Sequence, residues 1–161
     1  MMQIAYIGFG SNLGDSLSIL AMVKDEINAC EGIHLIETSP VYSTKPIDVP
    51  DCQNNFINAV FKLETSLNPE AVLHQLTVIE NQHGRVRGKV KNSARTLDLD
   101  LLLVGDNCLS SKNLTLPHPR IHQRAFVLFP LFDLSPDLEI PGQGRVRALL
   151  EDVTDQEIER L

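Results

Sequence analysis

Positive charge is scarce in this chain: 14 lysines and arginines stand against 21 aspartates and glutamates, a formal net charge of −7. Affinity for phosphate backbones rests on clustered Lys and Arg that release counterions, so the balance argues against a general nucleic-acid binder. Aromatic residues are also few, 5% of the chain with no tryptophan, and they form no stacking platform of the kind RNA-binding surfaces use. The three cysteines, Cys30, Cys52 and Cys108, are odd in number and widely separated, which spells neither a disulfide framework nor a zinc site. Reduced thiols in a cytoplasmic protein are expected. No apolar stretch approaches the ~20 residues of a membrane span, and the amino-terminal MMQIAYIGFGSN lacks the basic region and longer apolar run of a signal peptide. A soluble, unexported protein with neither a membrane nor a nucleic-acid partner is the expectation. What the chain does have is core: 43% of its 161 residues are hydrophobic, which suits one compact domain over 1–161.

Gln3 to Phe9 reads as a first, central strand, with Gly8 and Gly10 where the chain turns or approaches something closely. Asp15 or Ser16 caps a helix whose apolar residues Leu17, Leu20, Val23, Ile27 and Cys30 run to Gly32. His34 to Tyr42 is rich in strand formers, and a long loop containing Pro46, Pro50 and Asn54 leads to a strand from Phe56 to Leu63. Asn68 and Pro69 start a second helix, carried by Val72, Leu73, Leu76, Ile79 and Glu80 to Gly84. Leu97 to Val104 is the strongest strand, ended by Gly105-Asp106-Asn107, with a hairpin-like return to Leu116 and a helical or irregular tail beyond. The order strand, helix, strand, strand, helix, strand is the βαββαβ pattern of ferredoxin-like α+β folds, with an antiparallel sheet, helices packed on it and a C-terminal extension. Fold alone does not identify function.

In Leu97-Asp98-Leu99-Asp100-Leu101 the two-residue period of a strand sends both aspartates to one face. Carboxylates converging from Cα atoms ~7 Å apart can share hard, oxygen-seeking cations bridged by phosphates. Alternation is equally the pattern of an ordinary half-buried strand; the neighbourhood tips the balance. Arg85, Arg87, Lys89, Lys91 and Arg95 crowd into the segment just before the acids. Bare carboxylates repel a polyphosphate, whereas magnesium with mobile cations holds it and neutralises charge developing during transfer. Pro117-His118-Pro119-Arg120 and Arg124 add phosphate-directed donors, although a lone histidine is more often structural. The run from Gly10 to Asp15 lacks the Lys-Ser/Thr ending of a P-loop and reads as a tight turn and helix cap. Phe56 and Asn58 share a strand face and could stack on and pair with a flat heterocycle. Core packing and a turn role are their plainer readings from the residues alone.

Taken in order, AYIGFGSNLGD, NFINAV, ENQHGRVR, RTLDLDLLL and LPHPRIHQRAFVLFPL make nearly the whole chain resemble the hydroxymethyl-dihydropterin pyrophosphokinase family. The resemblance implies an enzyme of folate biosynthesis that binds ATP and 6-hydroxymethyl-7,8-dihydropterin; a monomer is expected. It implies two Mg2+ ions at Asp98 and Asp100, attack of the pterin hydroxymethyl oxygen on the β-phosphorus, and departure of AMP. On that pattern Arg85 and Arg95 stabilise transferring charge, and Glu80, Arg87, Lys91, Thr115, His118 and Arg124 form the ATP pocket. Phe56 and Phe126 sandwich the pterin, Asn58 reads its edge, and Gly10, Thr44 and Ile47 lie along its pocket. The segment from Gly84 to Ala94 is expected to close over both substrates and exclude water.

Four positions depart from the family pattern. Lys91 stands where an arginine often sits, Asn92 where a tryptophan can cover the site, Asn113 in place of a basic nucleotide contact and Thr77 in place of a glutamine. Lysine lacks the bidentate guanidinium fork and asparagine gives far less apolar cover. These changes bear on turnover and loop closure more than on substrate class. Three rival readings stand beside this one: an inactive ligand-binding relative, which the changes at Lys91 and Asn92 permit; a ferredoxin-like regulatory or RNA module, a common use of the topology; and a magnesium phosphohydrolase using the same two acids.

Overall fold

A computed structural model describes residues 2–12, 15–45, 55–83 and 97–161. The chain runs through β1 (Gln3–Ser11), α1 (Ser16–Asn28), β2 (Ile33–Thr38), β3 (Tyr42–Thr44), β4 (Phe56–Thr65), α2 (Pro69–Gln82) and β5 (Asp98–Val104). There follow a hairpin of β6 (Leu109–Ser110) and β7 (Thr115–Leu116), α3 (Ala125–Leu134), a second hairpin of β8 (Glu139–Ile140) and β9 (Gly144–Arg145), the single turn α4 (Val146–Leu149), and β10 (Glu159–Arg160). The result is mixed helix and antiparallel sheet.

The main sheet has the order β10-β3-β4-β1-β5, with β2 also paired to β4. β1 is central as expected, antiparallel to β4 on one side and β5 on the other. The single strand expected over His34 to Tyr42 is instead two, which pair with successive halves of the same edge of β4. Pro40 interrupts it, because proline has no N–H to give a ladder. Ser39 makes the joint: its N–H bonds to Val60 O at 2.9 Å and its hydroxyl accepts the Val60 N–H at 2.8 Å. Part of the stretch read as loop after Tyr42 is therefore strand.

Both expected helix caps are present. Asp15 accepts from Ser18 N–H at 3.2 Å and Asn68 from Ala71 N–H at 2.8 Å, each contributing about 1 kcal/mol. Gly32, which ends the turn after α1, has φ +84°, and a Cβ there would meet Leu67 at 2.9 Å. The buried stripe of α1 is Ile19, Leu20, Val23 and Ile27, while Leu17 is exposed. This corrects the expected core. Ile19 lies one helical turn before Val23, whereas Leu17 falls well round the cylinder.

The sheet separates two apolar clusters. Ala5, Ile7 and Phe9 of β1, with Phe61, Leu63, Leu99 and Leu101, pack against α1 and α2. Tyr6, Val60 and Leu103 face the C-terminal elements, chiefly Leu128 and Leu131 of α3, with Val146 and Val153 behind. The pairing of β1 with β5 shifts register between Tyr6 and Ile7, so β5 carries an extra residue and Leu101, Leu102 and Leu103 are all buried. The tail is thus a second covering layer rather than an appendage.

Candidate active site

Residues directly opposite in neighbouring strands share a sheet face. Asp98 pairs with Gly10, Gly10 with Asn58 and Asn58 with Tyr42; one step along, Asp100 pairs with Gly8 and Gly8 with Val60. Two rows therefore cross the sheet on the face covered by α3. Leu99 and Leu101 take the opposite face with α1 and α2, which leaves both carboxylates on the α3 side. Gly8 and Gly10 put no side chain between the aspartates and Asn58. A Cβ at Gly10 would stand 3.6 Å from Asn58 Oδ1, so any longer side chain would fill the floor between them.

Asp100, Thr115 and His118 line one open cleft, together with Leu73, Lys112 and Asn113. Lys112, in the turn of the β6–β7 hairpin, is a lining residue with no motif of its own to mark it. His118 follows the cis Leu116–Pro117 bond, and its N–H bonds to Leu102 O at 3.0 Å, tying the turn to β5. Its Nδ1 accepts the Arg120 N–H at 3.1 Å, so the neutral ring carries its proton on Nε2 and is a donor there. Burial, with Arg124 and Arg120 nearby, pushes the His118 pKa down to about 4. The ring is neutral at pH 7.

Arg124, immediately before α3, places Nη1 3.9 Å from Asp100 Oδ2 and its guanidinium carbon 5.4 Å from the centre of the Phe126 ring. Burial pulls its pKa down and Asp100 opposes that shift; an arginine stays charged regardless. One side chain thus touches the acid pair's side of the site and an aromatic ring expected on the pterin side. Across the sheet, Asn58 is buried and donates Nδ2 to Thr44 Oγ1 at 2.9 Å. Nδ2 is thereby directed at β3, and Oδ1 faces Gly10. Phe56 and Phe126 are both half-buried.

Glu80 is 4% exposed, and its Oε2 accepts the Leu99 N–H at 2.8 Å. Thr77 hydrogen-bonds the Leu73 carbonyl of its own helix at 3.1 Å. Cys30 and Cys108 are free thiols. Of the expected site residues, Ile47, Arg85, Arg87, Lys91 and Arg95 lie outside the described residues, as do Cys52, Asn92 and the expected closing segment. Among the described residues, no group of three or more His, Cys, Asp or Glu could hold a metal by protein ligands alone. Two carboxylates on one face, with the Asp100 side chain 41% exposed, suit a hard cation such as magnesium that takes its other ligands from phosphates and water.

The sequence profile of the 7,8-dihydro-6-hydroxymethylpterin-pyrophosphokinase (HPPK) family matches residues 6–136. The chain belongs to the HPPK family. It is 39% identical to the 2-amino-4-hydroxy-6-hydroxymethyldihydropteridine pyrophosphokinase of Haemophilus influenzae, over 99% of both chains. It is 38% identical to the Pseudomonas aeruginosa protein of the same name, over 100% of this chain and 98% of that one. It is also 38% identical to the folic acid synthesis protein fol1 of Pneumocystis carinii, but spans only 21% of that longer protein. Among solved structures, a Plasmodium falciparum HPPK-DHPS superposes with a TM-score of 0.75 at 15% identity, covering 94% of this chain and 45% of that one. That likeness is one of fold. No helix among the described residues is long and apolar enough to cross a membrane.

Proposed function

We propose that this chain transfers pyrophosphate from ATP to the hydroxymethyl group of 6-hydroxymethyl-7,8-dihydropterin, releasing AMP, as a step of folate biosynthesis. The observation that carries this reading is the pair of rows across the sheet. Asp98 and Asp100 lie on the same face as Asn58 and Thr44, separated only by glycines. An acid pair suited to a phosphate-bound metal ion, beside a buried carboxamide, is what joining a polyphosphate to a flat, hydrogen-bonding heterocycle requires. The family membership and the near full-length likeness to named pyrophosphokinases support the same activity.

Asp98 and Asp100 would hold two magnesium ions with ATP; such ions neutralise phosphate charge and polarise the bond to be broken. The new bond joins the pterin oxygen to the β-phosphorus. The bond that breaks is the one from the β-phosphorus to the oxygen kept by AMP, and the hydroxymethyl proton is lost to solvent. The chain's own residues position the partners. His118 offers an Nε2–H donor to phosphate without gaining or losing a proton near neutrality. Arg124 adds fixed positive charge beside Asp100. Thr115, Lys112 and Leu73 shape the cleft for the rest of the nucleotide. Asn58, held by Thr44, reads the pterin edge, with Gly10 and Ile47 along the pocket and Phe56 and Phe126 against the ring faces. Arg85 and Arg95 stabilise the charge in transfer, and Arg87 and Lys91 bind ATP. In-line positioning and electrostatic stabilisation account for most of the rate enhancement in such reactions.

The same reading takes the chain as one monomeric, cytoplasmic domain over 1–161 that binds no nucleic acid or membrane. The sheet order β4-β1-β5, with β2 and β3 outside β4 and two helices on one face, supports the ferredoxin-like βαββαβ arrangement. The test is AMP release from ATP and Mg2+, with and without 6-hydroxymethyl-7,8-dihydropterin. AMP formed only with the pterin supports transfer. Phosphate release that needs no pterin favours the phosphohydrolase, and no release under any condition favours the inactive relative.

A further inference from the structure

Among the described residues β5 is an edge strand: β1 lies on one side of it, and the other side has no strand partner in the main sheet. An unpartnered edge leaves backbone N–H groups to be satisfied by something else. At Leu99, the residue between the two aspartates, that partner is a carboxylate. Glu80 reaches from α2 and accepts the Leu99 N–H at 2.8 Å. Glu80 sits on the buried stripe of α2 with Val72, Leu76 and Ile79 and is 4% exposed. A carboxylate is costly to bury unless it is hydrogen-bonded, and a charged acceptor makes the N–H bond shorter and stronger than a neutral one. Glu80 is absent from the cleft that Asp100, Thr115 and His118 share. It stands behind β5, on the side of the sheet away from the α3 layer.

We propose that Glu80 is a positioning residue for the aspartate pair: by fixing the Leu99 N–H it sets the backbone from which Asp98 and Asp100 project, and so the geometry in which they bind metal and phosphate. This rests on the pyrophosphokinase reading and gives Glu80 a place behind the nucleotide site. What matters for that backbone is the reach of its acceptor oxygen to the Leu99 N–H. Two aspartates so close together repel one another, and only a fixed backbone keeps both aimed at one cation. The same bond ties the end of α2 to the start of β5, two elements that the chain order separates by residues 83–97.

Two near-isosteric variants separate reach from charge. Glu80→Gln keeps an oxygen at the same distance without the charge; Glu80→Asp keeps the charge but withdraws it by one methylene. The measurements are Mg2+ affinity in the presence of a non-hydrolysable ATP analogue, kcat, and the exchange protection of the Leu99 amide by NMR. Glu80→Asp is expected to lower Mg2+ affinity about tenfold or more and to lose Leu99 protection, with the KM for the pterin unchanged; Glu80→Gln should lose less Mg2+ affinity than Glu80→Asp and keep the protection. The opposite ranking, with Gln worse than Asp in Mg2+ affinity, or both variants matching wild type, would overturn the proposal. The Leu99 amide reads Glu80 without turnover, so a wild-type chain that makes no AMP would count against the pyrophosphokinase reading and leave this test intact.

Discussion

Arg124 Nη1 lies 3.9 Å from Asp100 Oδ2, and the same guanidinium sits over the Phe126 ring. One residue at the start of α3 thus links Asp100 to Phe126, the two halves of the proposed site. Arg124→Gln should weaken ATP binding about tenfold through the lost charge. Arg124→Lys should keep part of that affinity but lose the planar stack on Phe126, so its pterin KM should rise relative to wild type. Steady-state kinetics with each substrate varied in turn checks both.

Replacing Asp98 or Asp100 with Ala removes a carboxylate from a site rather than volume from the core. Transfer should fall roughly a hundredfold to a thousandfold while the unfolding midpoint hardly moves. Wild-type turnover in both variants would remove the metal assignment.

Thr44→Val takes away the acceptor that holds Asn58 Nδ2. Pterin affinity should drop about three- to tenfold with ATP affinity unchanged. Asn58→Leu removes the edge contacts themselves and should cost the pterin about tenfold to a hundredfold. Calorimetric titration of each ligand separates the two effects, and an Asn58→Leu chain that binds the pterin normally would place the pterin elsewhere.

Far less of this was legible at long range than at short. The alternation of Asp98 and Asp100 with leucines is a local signal, and the structure keeps it. The caps at Asp15 and Asn68 are local as well. Pro40 was a readable breaker inside an otherwise convincing strand, and its missing N–H is why β2 and β3 are separate. Leu17 extends the apolar stripe of α1 in sequence, but the burial of Ile19 in its place depends on which helix face the sheet meets. Glu80 carried a visible hint, an acid on an apolar stripe, but its partner Leu99 is chosen by how α2 lies along β5. The pairing of Tyr42 with Asp133, and of Arg124 with Asp100, joins distant parts of the chain through the C-terminal layer, and no spacing rule reaches that far.

The Tyr42 hydroxyl donates to Asp133 Oδ2 across that layer, and burial, with the Asp133 partnership, raises its pKa well above the ordinary value. Tyr42→Phe should lower unfolding free energy by about 2 kcal/mol, since a hydrogen bond to a charged group is lost. Urea unfolding at pH 7 measures it.

The His118 pKa, pushed down to about 4 from an ordinary 6.5, means that the folded chain binds fewer protons at this ring than the unfolded chain between those values. Stability should therefore fall as pH drops from 6.5 towards 4, and this group should leave it unchanged above neutrality. His118→Gln should flatten that part of the profile. Unfolding midpoints at pH 7 and pH 5 for both chains give the comparison.

The central claim is that the β- and γ-phosphates move together onto the pterin. ATP labelled at the β-phosphorus, incubated with Mg2+, the chain and 6-hydroxymethyl-7,8-dihydropterin, should yield a pterin diphosphate with the label on the phosphorus bonded to the hydroxymethyl oxygen, alongside unlabelled AMP. Label recovered as free pyrophosphate, or retained in ADP, would contradict it.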